Sequence, residues 1–211
     1  AASFVRARAG LQVRPLLSPA EILAGAEGRG GLVAVGSYVP RSTAQLERLL
    51  AAHPGAGVEL AVPRAADAAS LRIDVAGVVA RALAVLDAGG VPVIYTSRQV
   101  WDSSDPAEDL LIKGRVSEAL VEAVRGVAAA RRLRFVVGKG GITSHDVALR
   151  ALGARRTRVL GQISPGVPVW RLGPESAAPA MPYVVFPGNV GEADTLLRVV
   201  EALSPGPSVA P

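Results

Sequence analysis

Short apolar runs alternate with longer stretches whose apolar positions recur every three or four residues. This alternation persists from about residue 31 to residue 203. GLVAVG (31–36), GVELAV (57–62), VPVIYTS (91–97), LRFVVG and YVVFPG (183–188) read as buried strands, each bounded by glycine or proline. RVLGQI and VPVW read as two further strands around the turn SPG. Between them, STAQLERLLAAH (42–53) carries Leu46, Leu49 and Leu50 at helical spacing, with Ser42 or Thr43 as the expected N-cap. Residues 65–88 predict a long helix closed by the glycine signal DAGG, and residues 115–132 a helix with Val116, Leu120, Val124 and Val127 on one face. Helices are also expected over 143–153 and 192–203, followed by a flexible tail over 204–211.

Strands that alternate with helices predict an α/β fold: a single domain over residues 1–203 whose mostly parallel sheet carries helices on both faces. In such sheets ligands bind at the carboxyl ends of the strands. Four strand ends there carry small or hydroxyl residues: VGSYVPRST (35–43), YTSR (95–98), GKGGITS (138–144) and FPGNVGEADT (186–195).

Composition narrows the chemistry. The chain has 211 residues and no cysteine, which excludes disulfides, thiolate metal sites and a cysteine nucleophile, and fits a cytoplasmic protein. The net charge of +5 rests almost wholly on scattered arginines, with few aromatics, so no nucleic-acid surface is expected. The start, AASFVRARAG, has no apolar signal-type core. The longest apolar stretch, residues 75–86, is too short to span a bilayer and contains Arg81, so no membrane segment is expected.

GKGGITS admits two readings. Its glycines let backbone N–H groups share a concavity for phosphate ahead of a helix; equally, they make a tight turn. Thr143 or Ser144 would cap that helix, with Asp146 completing a capping box. The motif is not a Walker A loop, because Lys139 precedes Gly140 instead of following a closing glycine. It is not a dinucleotide fingerprint either, since Thr143 stands at its sixth position. The turns at Gly36–Ser37 and at Gly188, Asn189 and Gly191 have the same grammar, and one sheet edge can bring all three together.

Of the two histidines, His53 ends a helix and His145 is expected to be exposed, so no metal centre is read. Asp102, Asp105 and Glu108 form an acidic loop. Ser37, Ser97 and Ser144 lack the G-x-S-x-G elbow of serine hydrolases.

Taken in order, GSYVPRSTAQLERLL, YTSR, VVGKGGITSHDVALRALG, GQISPGVPVW and YVVFPGNVGEADTLLRVVEAL resemble the C-terminal half of the four-carbon acid sugar kinases. These enzymes phosphorylate D-threonate, D-erythronate or 3-oxo-tetronates. The resemblance implies an ATP-binding domain that uses ATP and Mg2+, with contacts from Ser37, from Gly140 and Gly141, and from Gly188. Thr143, Ser144 and Asn189 lie in the same motifs. It further implies an ATP-dependent kinase whose N-terminal sugar-acid-binding domain and catalytic base lie outside this chain, so that the chain alone is inactive. A homodimer is compatible with this reading. Tyr38 departs from the family, where a small residue commonly follows the GS pair. The alternative class is a non-catalytic interaction or effector-type module with a vestigial nucleotide site.

Overall fold

The computed structural model describes residues 14–62, 69–98 and 105–204. The strands are β1 (Gly31–Val35), β2 (Gly57–Leu60), β3 (Val93–Thr96), β4 (Phe135–Lys139), β5 (Thr157–Ser164), β6 (Val167–Leu172) and β7 (Pro182–Phe186). The helices are α1 (Pro19–Leu23), α2 (Pro40–Ala52), α3 (Val75–Asp87), α4 (Pro106–Ala130), α5 (Gly141–Asp146) and α6 (Thr195–Leu203). A π-helical turn, Val147–Ala151, prolongs α5.

One sheet takes the order β2-β3-β1-β4-β7-β6-β5. The first five strands in this order are mutually parallel, with pairs such as Val33 with Val93, Leu32 with Val136, and Val137 with Val184. β6 and β5 complete the sheet in antiparallel pairing. The expected α/β class is therefore borne out, with an antiparallel margin. That margin is a hairpin turned at Pro165–Gly166, where Gly166 has φ 78°, the conformation that glycine adopts without a Cβ penalty.

Period-two alternation along the central strands divides the core. Leu32 and Ala34 of β1 pack with Val78 of α3, with Leu120 and Val124 of α4, and with Val147 beyond α5. Val33 and Val35 point the other way, onto Leu46 and Leu49 of α2 and Leu196 and Val199 of α6. β1 and β4 are buried on both faces, which is why they read as unbroken apolar runs. Among the described residues, no helix is long and apolar enough to cross a membrane.

Several expected boundaries shift, through a cap or a proline at the first helical position. The helix expected over 65–88 starts only at Val75, where Asp74 accepts a hydrogen bond from the Gly77 N–H; residues 69–74 are not helical, and 65–68 fall outside the described residues. α4 begins near residue 106 rather than 115, because Asp105 caps it and Pro106 takes its first position. α2 starts at Pro40 after Val39, so neither Ser42 nor Thr43 is its N-cap. The capping box expected at Thr143 and Asp146 does not form: Gly140 occupies the N-cap position without a side-chain bond, and Asp146 accepts from Ser117. α1 was not anticipated, although Ser18 and Glu21 around it make a complete capping box. The tail beyond Ser204, the chain start through residue 13 and Asp102 of the acidic loop lie outside the described residues.

Candidate functional site

β1, β4 and β7 are adjacent and parallel, so the turns that leave them meet at one edge of the sheet. α2 and α6, which follow β1 and β7, pack on one face. The helical segment after β4 contributes Val147 and Ala148 to the other. The chain thus parts to both sides between β1 and β4, the kind of switch point at which such sheets open a crevice.

The glycines allow the three turns to approach closely. Gly140 has φ 115°, and its N–H donates to the Phe186 carbonyl over 2.8 Å. A Cβ on Gly140 would lie 2.9 Å from the Ser37 Cβ and 3.2 Å from Thr143 Oγ1. A Cβ on Gly188 would lie 3.1 Å from Ser37 Oγ, and one on Gly36 would collide with the Thr143 hydroxyl. Ser37, Gly140, Thr143 and Gly188 are therefore immediate neighbours, although they span most of the chain.

Helix α2 fastens the turn after β7. Ser42 Oγ donates to the Gly188 carbonyl over 2.9 Å and lies 3.1 Å from Ser37 Oγ. Buried Gln45 donates to the carbonyls of Val190 and Glu192 at 3.0 and 2.8 Å. These bonds consume carbonyls of the turn after β7.

Three cations gather here, and Glu59 is the carboxylate whose charge reaches Arg98. Lys139 is fully buried. Its Nζ donates to the carbonyls of Pro187 (2.6 Å) and Gly188 (3.1 Å) and lies 4.4 Å from the centre of the Phe186 ring. Burial, then the nearby charge of Arg41, pushes its pKa down to about 8. Arg41 donates to the Gly191 carbonyl over 2.7 Å. Arg98 donates to the carbonyls of Ser37 (2.7 Å) and Thr96 (2.8 Å), and burial lowers its pKa. Among the described residues, none of the three forms an ion pair, whereas arginines elsewhere do. Buried or half-buried charge is ordinarily paired; here backbone carbonyls take that part.

The sequence-derived candidates divide by position. Ser37, Gly140, Thr143 and Gly188 converge. Gly141 lies at the first position of α5 with nothing within 4 Å of where its Cβ would be, so the space above it is open. Gly141 is thus not the strained glycine of this turn; Gly140 is. Asn189 is exposed beside Gly188. Ser144 is used beneath the loop: it is buried, its Oγ donates to the Gly138 carbonyl over 2.6 Å, and its own carbonyl accepts from the Tyr183 hydroxyl over 2.8 Å. His145 is exposed, as expected. Among the described residues, no three histidine or carboxylate side chains gather to hold a metal ion.

The sequence does not mark Lys139, Ser42, Gln45 and Arg98 as site residues: Ser42 reads there only as a helix cap. For Lys139 a signal existed, since it continues the inward-facing series Phe135, Val137 of a strand buried on both faces.

Fold and crevice together define an α/β domain whose glycine turns meet at the carboxyl ends of adjacent parallel strands. Residues 32–196 match the family model of the nucleotide-binding C-terminal domain. The chain belongs to that family, in agreement with the resemblance drawn from its motifs. No curated protein matches it. A Bordetella bronchiseptica protein with a domain of unknown function (DUF1537), solved as a domain-swapped dimer with bound citrate, superimposes with a TM-score of 0.64 at 22% identity, over 88% of this chain and 44% of its own. A candidate tRNA synthase from Salmonella typhimurium LT2 gives 0.53 at 22% identity, over 82% of this chain and 40% of its own. At these identities the likeness is one of fold. The chain spans less than half the length of either relative.

Proposed function

We propose that this chain is the ATP-binding domain of a four-carbon acid sugar kinase, which transfers the γ-phosphate of ATP to a hydroxyl of a tetronate-type acid. The supporting observation is the convergence of three glycine-bearing turns on Ser37, beside Lys139, Arg41 and Arg98, none of them ion-paired among the described residues. In this reading the phosphates lie over Gly140, Gly141 and Gly188. Backbone N–H groups and the hydroxyls of Ser37 and Thr143 orient them, and Asn189 flanks them.

Mg2+ neutralises charge on the phosphates during transfer. Among the described residues no three histidine or carboxylate side chains gather to hold the ion, so it would come with the nucleotide and would supply charge neutralisation there. The cations of the crevice hold the departing ADP. The acid-sugar hydroxyl attacks the γ-phosphorus, the bond from that phosphorus to the β,γ-bridging oxygen breaks, and the hydroxyl proton passes to a base. We place that base and the sugar site in an N-terminal partner half. Residues 1–203 are read as one nucleotide-binding unit, and a homodimer as a further assembly.

Calorimetry of the 211-residue chain with Mg-ATP is expected to show binding, and kinase assays with tetronates no turnover until a sugar-acid-binding half is supplied. Absence of binding at millimolar ATP would sink the reading. Turnover by the chain alone would overturn its division into halves.

A further inference from the structure

β5 lies at the edge of the sheet and pairs with β6 alone. The segment before α1 covers part of its outer side: the Leu17 N–H donates to the Gln162 carbonyl over 2.8 Å, and a Cβ on Gly161 would meet the Leu17 side chain. Among the described residues, no strand and no backbone hydrogen bond reaches the outer side of residues 157–160.

Alternation fixes which backbone groups face outward there. The Arg156 carbonyl accepts from the Gly173 N–H over 2.9 Å, so Arg156 is turned toward β6. The Leu172 N–H donates to the Met181 carbonyl on the β7 side over 3.1 Å, so its neighbour Arg171 is turned toward β5, where Arg158 stands opposite. Backbone groups alternate in direction along a strand. The N–H and C=O groups of Thr157 and Val159 therefore point away from the sheet, a row ready to pair with another extended chain.

The charge around this row has one sign. Arg155, Arg156 and Arg158 are exposed, and an open groove of about 500 Å³ runs past Arg156, Arg158 and Arg171. Like charges directly opposite each other weaken a strand pair, yet Arg158 faces Arg171. The Arg171 guanidinium is spent on the carbonyls of Ile22, Ala24 and Ala180. Among the described residues, the carboxylate within ion-pair distance of this group is Glu175. It accepts from the N–H groups of Arg155 and Arg156 and lies 4.0 Å from Arg156 Nε. Arg158 is left without a carboxylate among the described residues.

Arginines on an open edge act in two directions. They oppose pairing with a second copy, which would bring one Arg158 toward another. They favour a strand of opposite charge, to which the backbone row supplies affinity and the side chains selectivity. Residues 1–13 and 205–211 hold two arginines and no acid, so neither stretch supplies the complementary charge.

We propose that the open half of β5 receives an acidic peptide segment in extended form, which adds as a further strand beside Thr157 and Val159 while its carboxylates meet Arg156 and Arg158. Exposed Val159 gives that strand an apolar contact. Arg171 pairs with Pro182 at the start of β7, so the site lies at the amino end of the parallel strands, opposite the glycine turns. It does not depend on the nucleotide reading.

The test is fluorescence anisotropy of the 211-residue chain at low salt, with a labelled hexapeptide of alternating glutamate and valine. Wild-type protein is expected to bind it at least about tenfold more tightly than the lysine–valine counterpart. Arg158→Glu is expected to reverse that preference. Val159→Pro removes an outward N–H that bonds nothing in the sheet, a place where an edge strand tolerates proline; with native circular dichroism retained, it is expected to weaken the acidic peptide about tenfold. An acidic peptide N-methylated along its backbone is expected to lose as much on the unaltered protein, which keeps the test decisive if Val159→Pro misfolds. Equal binding of the methylated and plain peptides would overturn strand addition and reduce the edge to a charged surface. Arg158→Glu protein that still prefers the acidic peptide would overturn the site. Oligouridylate that binds as tightly as the peptide and displaces it would overturn the peptide assignment in favour of a polyanion. Wild-type dimers that Arg158→Glu dissolves would overturn it in favour of a second copy.

Discussion

Lys139 makes the clearest residue-scale prediction. Its pKa is about 8 in the folded chain against an ordinary 10.5. Between those values the unfolded chain binds a proton that the folded chain lacks, so stability rises with pH across that interval. Below about pH 8 the buried charge costs the fold about 3 kcal/mol. A bound polyphosphate reverses the balance, because it favours the charged ammonium and raises its pKa. ATP affinity is therefore expected to be level up to about pH 7 and to fall as pH rises through 8. Lys139→Met is expected to bind about tenfold more weakly at pH 7, with a flat profile. Titrations from about pH 6.5 to 9.5 at fixed free Mg2+ check this; a wild-type affinity that does not decline would remove Lys139 from ligand binding and leave it the task of holding the Pro187 and Gly188 carbonyls.

At the scale of elements, the turn after β4 separates two glycines by what a methyl group would meet. Gly140 combines φ 115° with the Ser37 side chain at 2.9 Å, so Gly140→Ala is expected to cost about 1–3 kcal/mol and to lower Tm by several degrees. Gly141 has neither constraint. Gly141→Val is expected to keep the wild-type Tm within about 2 °C and to weaken ATP at least tenfold by occupying the open space. Thermal melts with matched calorimetry separate the two; equal destabilisation by both would mean that the turn tolerates no side chain at all.

The same turn shows what was legible beforehand. Parallel strands buried on both faces are largely apolar, so β1, β3, β4 and β7 could be read directly, and their glycine-rich ends with them. Element starts were less legible, because a cap is a contact rather than a composition: Asp74 and Asp105 look like any surface acid until their oxygens meet the N–H groups of Gly77 and Ala107. Lys139 and Arg98 were hidden for a related reason. A charged residue in a sequence reads as solvated: the period-two series Phe135, Val137 hints that Lys139 is buried, but nothing in the sequence shows that Arg98 bonds back to Ser37.

At the scale of the whole molecule, strand order and chain order disagree. β7 is the last of the described strands to be made, yet it lies inside the sheet between β4 and β6. It delivers the Phe186 carbonyl to Gly140, the Pro187 and Gly188 carbonyls to Lys139, and the Tyr183 hydroxyl to Ser144. A nascent chain that has reached only the β5–β6 hairpin has an open seam beside β4 and lacks the carbonyls that accept hydrogen bonds from Lys139. Chains stalled on the ribosome after about residue 180 should thus remain protease-sensitive, whereas those extended past α6 should resist digestion. The crevice would then report on completed synthesis: the domain could not capture nucleotide until almost the whole of residues 14–204 had left the exit tunnel.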